Sequence, residues 1–242
     1  MTDGYVINLA RRPDRLRAFQ EDIAQTGLEI EPLEAVDGRA LDLSAYDEQV
    51  SSWYRVFGNP ASLGGTVGCK LSHEAAWEAV AGRDDGLYYV FEDDARLAVG
   101  GRWQTQRLTR LVDRAPDDAD LIWLNDFDAL SPLRVLNRIR GRLDRLPGAG
   151  NLGSSIHSAA VRARLTAALP SFRRWPPIVY TTAEAYLLRP QYAEQMLEYT
   201  RQWFEAVDGQ MKSAVENIGG VAYFARPAVF TQADRSDTDI QL

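Results

Sequence analysis

The sequence predicts an α/β protein with a mainly parallel sheet flanked by helices, and three observations carry that expectation. Short β-rich runs alternate with longer segments of helical periodicity along most of the chain. The first three elements read strand, helix, strand, the opening of a parallel sheet. The composition is that of a globular chain: 242 residues, 45% hydrophobic and 25% charged, enough to bury a core as one large domain.

Tyr5-Val6-Ile7-Asn8-Leu9 is short and β-rich and reads as a first buried strand. Pro13 suits the first turn of a helix, Leu16, Phe19 and Ile23 recur at helical spacing, and Gly27 stops the run. Leu28 to Val36 reads as a second strand that ends in the turn pair Asp37-Gly38. Asn59-Pro60 and Gly64-Gly65 mark loops, and Thr66 to Ala81 is helical, with Val67, Leu71, Trp77 and Val80 turned inward. Gly86 to Phe91 is the third strand, Arg102 to Val112 a helix, and Asp120 to Asn125 a fourth strand. Val179 to Leu188 as a strand, Gln191 to Phe204 as a helix, a helical run opened by Asp208, and a strand at Val221 to Phe224 complete the reading. No internal repeat or linker divides the chain, so one domain over residues 1–242 is expected.

Bulk properties exclude several classes. A net charge of −7 makes nucleic acid an unexpected partner. No apolar run approaches the roughly 20 residues of a membrane span. The first ten residues, MTDGYVINLA, lack the basic start and apolar core of a signal peptide, so a cytoplasmic location is expected. The single Cys69 excludes an internal disulfide, is expected to be a small buried hydrophobe, and with only two histidines argues against a Cys/His zinc site.

The feature that most needs a reason is YYVFEDDARL at residues 88–97, where a buried strand runs into Glu92, Asp93 and Asp94. Clustered carboxylates repel, and burying them is costly unless a cation sits against them. In an extended segment Glu92 and Asp94 face one side and Asp93 the other, which suits a hard cation such as Mg²⁺ or Mn²⁺. The other reading is a solvated strand end capped by Arg96. Ligands of open α/β sheets gather outside the carboxyl ends of strands, which favours the cation.

The remaining motifs are each open or weak. GAGNLG at 148–153 matches a dinucleotide fingerprint by letter, but RLDRLP before it is no strand and no acid occurs from 145 to 183, so it reads as a loop. Ser72 and His73 are neighbours on a helix and do not face each other; they read as polar contacts to backbone or ligand, with a satisfied structural histidine as the plain alternative. Arginines 134, 138, 140, 142 and 145 form either a solvated helix face or a patch for the anionic surface of the inner membrane. Asp208 is either a helix N-cap or, near a cleft, a general base.

Taken in order, YVINL-x-x-RPDR, AVDGR, TVGCKLSH-x-x-x-W and VFEDDA resemble glycosyltransferase family 25, the lipooligosaccharide and procollagen galactosyltransferases. The likeness is dense over residues 5–95 and continues more thinly through LIWLND, AEAYLLRP, VDGQM, VAYFARP, Gln232 and Ser236. It implies a Rossmann-like fold of the GT-A type, with a donor-binding part over about 1–126 and an acceptor-side part over about 127–242. It implies a UDP-sugar donor, Mn²⁺ or Mg²⁺, and inverting transfer of galactose or glucose to a lipopolysaccharide, glycolipid or other surface glycan. Carried over by position, Asp94 is the main metal ligand, with Glu92 as donor-site and metal-side acid and Asp93 beside them. Ile7, Asn8, Leu9, Arg12 and Arg15 border the nucleotide, Asp37 and Gly38 form a second border, and Ser72 and His73 lie near the donor. Asp208 is the first choice of base and Asp126 the second. The chain departs from the family at Ala183-Glu184-Ala185-Tyr186, where a glycine-containing run is usual, and at Asn125-Asp126, where a small residue is expected. The alternative function is a non-catalytic relative that binds a sugar nucleotide or a partner.

Overall fold

The computed structural model describes residues 2–48, 50, 62–97, 108, 111–125, 171–174, 182–201, 205–226 and 228–232. The elements in chain order are β1 (Gly4–Asn8), α1 (Pro13–Ile23), β2 (Ile30–Glu34), α2 (Leu63–Ala81), β3 (Tyr88–Glu92), β4 (Ala95–Leu97), β5 (Leu121–Trp123), β6 (Ser171–Arg174), β7 (Ala185–Leu188), α3 (Pro190–Thr200), α4 (Val207–Ile218), β8 (Ala222–Arg226) and β9 (Phe230–Gln232). Asp126, the arginines at 134–145, the GAGNLG segment and Ser236 lie outside the described residues.

Seven strands form one sheet in the order β2-β1-β3-β7-β5-β8-β6, and β4 pairs with β9 in a separate ribbon. β1 is parallel to both β2 and β3, and β5 is parallel to β8. β7 runs antiparallel to both of its neighbours, β3 and β5, and β6 runs antiparallel to β8, so the sheet is mixed. The expected α/β class holds, with more antiparallel pairing than the opening strand-helix-strand unit suggests.

Alternation along the strands divides the core into two layers. Tyr5, Ile7, Val90, Tyr186 and Leu188 face one side, where they pack with Trp77 and Val80 of α2, Met196 of α3 and Met211 of α4. Val6, Tyr89, Phe91, Ile122 and Leu187 face the other, against Phe19 and Ile23 of α1 and against Phe230 of the small ribbon. β3 is therefore covered on both faces, which is why its central residues read as a continuous apolar run.

Helix α2 begins three residues before the predicted Thr66, so Gly64 and Gly65 stand in its first turn rather than in a loop. Val67, Trp77 and Val80 are fully buried as expected, while Leu71 is only partly so. The ribbon strands β4 and β9 and the edge strand β6 carry no sequence signal of their own and were not predicted. Among the described residues, no helix is long and apolar enough to cross a membrane.

Candidate active site

The sheet topology brings four strand ends to one edge. Ile7 pairs with Glu92 at the carboxyl ends of β1 and β3. Because β7 is antiparallel, its first residue, Ala185, pairs with Phe91, and Trp123 at the end of β5 pairs with Tyr186. The Glu92 amide donates to the Glu184 carbonyl at 2.9 Å, and the Asp93 amide to the Ile7 carbonyl at 3.1 Å. Residues 92–94, 125 and 184 thus cluster although they are far apart in the chain.

A cavity of about 440 Å³ opens at this edge, within the range of small-ligand sites. Ile7, Leu9, Arg15, Asp37, Gly38, Ser72, His73, Glu92, Asp93 and Asp94 all line it. Every residue placed at the donor by the family likeness is therefore on its wall except Asn8 and Arg12. Asn8 supports the wall, its amide donating to Asp93 Oδ2 at 2.6 Å and to the Arg12 carbonyl at 3.0 Å. Arg12 pairs with Asp14 at 3.0 Å on the exposed start of α1.

One side of the cavity is held by a close approach between α2 and the turn after β2. A Cβ on Gly68 would stand 2.7 Å from the Val36 carbonyl oxygen, and one on Gly38 would overlap the Gly64 carbonyl. Ser72 locks the same seam, accepting from the Val36 amide at 2.9 Å and donating to the Gly68 carbonyl at 2.6 Å. Asp37 pairs with Arg11 at 2.8 Å, and that hydrogen bond holds its carboxyl below the ordinary range.

The acidic triplet is not an extended segment. Asp93 and Asp94 form a turn between β3 and β4, so alternation does not separate them and all three acids line the cavity. The expectation that Asp93 points away is corrected by this turn. Arg15 from α1 bridges Asp93 Oδ1 at 2.7 Å and Asp94 Oδ2 at 3.1 Å. Among the described residues Arg96 caps no carboxylate; it donates at 2.8 Å to the carbonyls of Asp93 and Ala95.

Three carboxyls at this edge are raised above their ordinary values. Burial pushes Asp93 up to about 6, with Arg15 and Asn8 opposing the rise. Burial, and then Asp94, Glu184 and Asp93, push Glu92 well above its ordinary value, although 26% of its side chain remains open to the cavity and water there moderates the effect. Glu184, 4% exposed, is raised by burial and by Asp94. The partner of Glu92 is His73, whose Nε2 lies 3.1 Å from Glu92 Oε1, and burial lowers His73 to about 3, so it brings no charge at neutral pH. Glu184 accepts from the neutral amide of Asn125.

A divalent cation fits this arrangement. Asp94 Oδ1 is buried and has no hydrogen-bond partner among the described residues, a costly state for a carboxylate oxygen unless a ligand completes it. Glu92 and Asp93 share the cavity wall with Asp94, and carboxylate oxygens suit Mg²⁺ or Mn²⁺. Asp94 would hold the ion with Glu92 beside it.

Asp208 lies inside the first turn of α4, and the N-cap is Ala206, so the N-cap reading of Asp208 does not hold. The carboxylate still suits the positive end of the helix. Its charge adds to the rise of the Cys69 thiol after burial and Glu92, but Asp208 is not among the residues that line the cavity.

Sequence reasoning missed several members of the site. Tyr186 is fully buried and its hydroxyl sits 2.9 Å from His73 Nδ1 and accepts from Trp77 Nε1 at 2.8 Å. Glu184 and Asn125 entered the reading within AEAYLLRP and LIWLND and as departures from the family pattern, not as site residues, and the departure was the signal that could have found them. Cys69, expected to be a buried hydrophobe, lines the cavity with its Sγ 4.0 Å from Glu92 Oε1.

This fold, with an acid-lined cavity at the carboxyl ends of β1 and β3, is that of a Rossmann-like glycosyltransferase. The chain belongs to glycosyltransferase family 25: the sequence profile described as "Glycosyltransferase family 25 (LPS biosynthesis protein)" matches residues 1–126. Over 124 residues, half of this chain, it is 32% identical to procollagen galactosyltransferase 2 of Mus musculus, covering 20% of that protein. Over 124 residues it is 35% identical to inactive glycosyltransferase 25 family member 3 of Homo sapiens, covering 21% of that protein and again half of this chain. The chain thus spans about a fifth of the length of the curated relatives it matches.

Proposed function

We propose that this protein is a metal-dependent, inverting hexosyltransferase that moves galactose or glucose from a UDP-sugar to a hydroxyl of a lipopolysaccharide or other surface glycan. The observation that carries the reading is the buried Asp94 Oδ1, without a hydrogen-bond partner among the described residues, on the wall of a cavity of about 440 Å³. The family membership and the galactosyltransferase relatives support the reaction class.

The bond that breaks joins the anomeric carbon to the diphosphate, and the leaving diphosphate gains negative charge as it opens. Asp94, with Glu92 beside it, would hold a divalent cation, which would supply Lewis-acid stabilisation of that charge. Arg15, fixed by its two carboxylate contacts, adds a positive charge at the same wall. Asp37, Gly38 and the first turns of α2 border the nucleotide. The acceptor hydroxyl must lose a proton during attack, and Asp208 is the carboxylate assigned to take it, with Asp126 as the second choice. A single displacement inverts the anomeric carbon.

Calorimetric titration of UDP with Mn²⁺ and then with EDTA tests the donor site. Binding that requires the metal is expected, and Asp94→Asn is expected to lower turnover by on the order of 10²-fold or more while keeping the fold. Retained turnover in that variant overturns the role of Asp94. The family also includes relatives named inactive, which favours a second reading, a protein that binds the sugar nucleotide without transferring it. Metal-dependent UDP binding with no consumption of any UDP-hexose, with or without acceptor glycans, is the outcome that selects it.

A further inference from the structure

We propose that Cys69, His73 and Glu92 form a site for a borderline-soft cation such as Zn²⁺ on the wall of the cavity, distinct from the hard-cation position at Asp94. Cys69 and His73 are four residues apart in α2, which sets them one above the other on the same helical face. Glu92 at the end of β3 closes the triangle, and one ligand atom from each residue lies within 4.8 Å of the other two. The closest pairs are Nε2 to Oε1 at 3.1 Å and Sγ to Oε1 at 4.0 Å.

The two closest spacings lie on either side of what the metal needs. Zinc bonds of roughly 2.0–2.3 Å at tetrahedral angles put neighbouring ligand atoms about 3.3–3.8 Å apart. Glu92, whose side chain is 26% exposed, is the ligand with room to adjust toward that range. The imidazole is already oriented from behind: Nδ1 meets the Tyr186 hydroxyl at 2.9 Å, and that oxygen is itself fixed by Trp77 Nε1 at 2.8 Å. Such a partner on the far nitrogen is what holds a metal-bound histidine in place. With Nδ1–H donating to Tyr186, Nε2 presents its lone pair to the ion. All three ligands line the cavity, which gives an entry path and leaves a fourth position for water or a phosphate oxygen. Binding releases the Cys69 thiol proton to solvent and forms the metal–thiolate bond. A thiolate–imidazole–carboxylate set selects Zn²⁺ over the hard cations that an all-oxygen set prefers.

Glu92 belongs to both sites, so Zn²⁺ here draws it away from the donor wall. If the donor reading above holds, Zn²⁺ is an antagonist of Mn²⁺-supported UDP binding; the metal site itself does not rest on that reading.

Co²⁺ titration of the reduced, chelator-treated 242-residue chain tests the site, since Co²⁺ is a spectroscopic stand-in for zinc. The chain has one cysteine, so a thiolate-to-cobalt charge-transfer band reports Cys69 alone. We expect one equivalent to produce that band, Zn²⁺ to displace it, Cys69→Ser to remove it, and Asp94→Asn to keep it. Glu92→Gln should weaken Co²⁺ at least tenfold. A folded wild-type protein without the band overturns the proposal, as does loss of the band in Asp94→Asn with native circular dichroism. A protein that shows the band but binds no UDP keeps this site and loses the donor reading; the reverse result does the opposite.

Discussion

Asp93 shows how the site trades stability for charge. It is held by Arg15 and Asn8, yet burial raises it from an ordinary 3.8 to about 6. A carboxyl raised by folding binds its proton more tightly in the folded chain than in the unfolded one. Its stabilising contribution is therefore complete below pH ~4 and is lost as pH rises through about 6. The loss is on the order of 3 kcal/mol at ~1.36 kcal/mol per pKa unit. Asparagine at this position does not titrate. We expect Asp93→Asn, in EDTA, to gain melting temperature relative to the parent between pH 4 and pH 7, at about 2–4 °C per kcal/mol; parallel thermal melts across that range check it. Tyr186 makes a second case at this scale. Its hydroxyl joins Trp77 to His73, and Tyr186→Phe leaves both buried nitrogens short of a partner. A destabilisation of about 1–3 kcal/mol is expected by urea unfolding. Tyr186 was not legible as a site residue, because a single Tyr in an apolar strand pattern has no spacing to mark it, and Glu184 was marked by its departure from the family pattern alone.

At the scale of elements, the decisive contact is α2 against the turn after β2. The sequence shows the turn as Asp37-Gly38 and the helix through Val67, Trp77 and Val80, but not that the two touch. Gly38, Gly64 and Gly68 allow it by having no side chain at the crossing. Gly68→Ala should force the Val36 carbonyl away, costing about 1–3 kcal/mol, and should weaken UDP binding more than a surface Gly-to-Ala change such as Gly82→Ala, whose Cβ would meet only ordinary contacts. Calorimetry on both variants makes the comparison. The acidic turn teaches the complementary lesson. Period-two reasoning placed Glu92 and Asp94 together and Asp93 apart, which is correct only while the strand continues. Here the strand stops at Glu92 and the chain turns into β4, held by pairing with β9 more than a hundred residues later. No local pattern announces that partner.

At the scale of the molecule, the sheet interleaves the two ends of the chain. β7 lies between β3 and β5, and the face of β1 and β3 is covered in part by α3 and α4. Residues 1–126 carry the family match, but on their own they leave β3 with an open edge and the cluster around Trp77 uncovered. We expect a fragment ending at 126 to aggregate or to lack a cooperative unfolding transition, as read by circular dichroism against denaturant, while the full chain shows one. The sequence alone determined the α/β class, the order of its principal elements, the family, and the wall residues Asp37, Ser72, His73, Glu92 and Asp94, because each is carried by local periodicity or by a contiguous motif. Tertiary structure alone decided that β7 enters antiparallel and sets Glu184 beside Glu92. It also decided that Cys69, His73 and Glu92 converge, and that Arg15 is the cation against the acidic turn. The physical reason is that these are contacts between residues distant in the chain, set by which strand edges and helix faces bury together, and no short-range pattern records them.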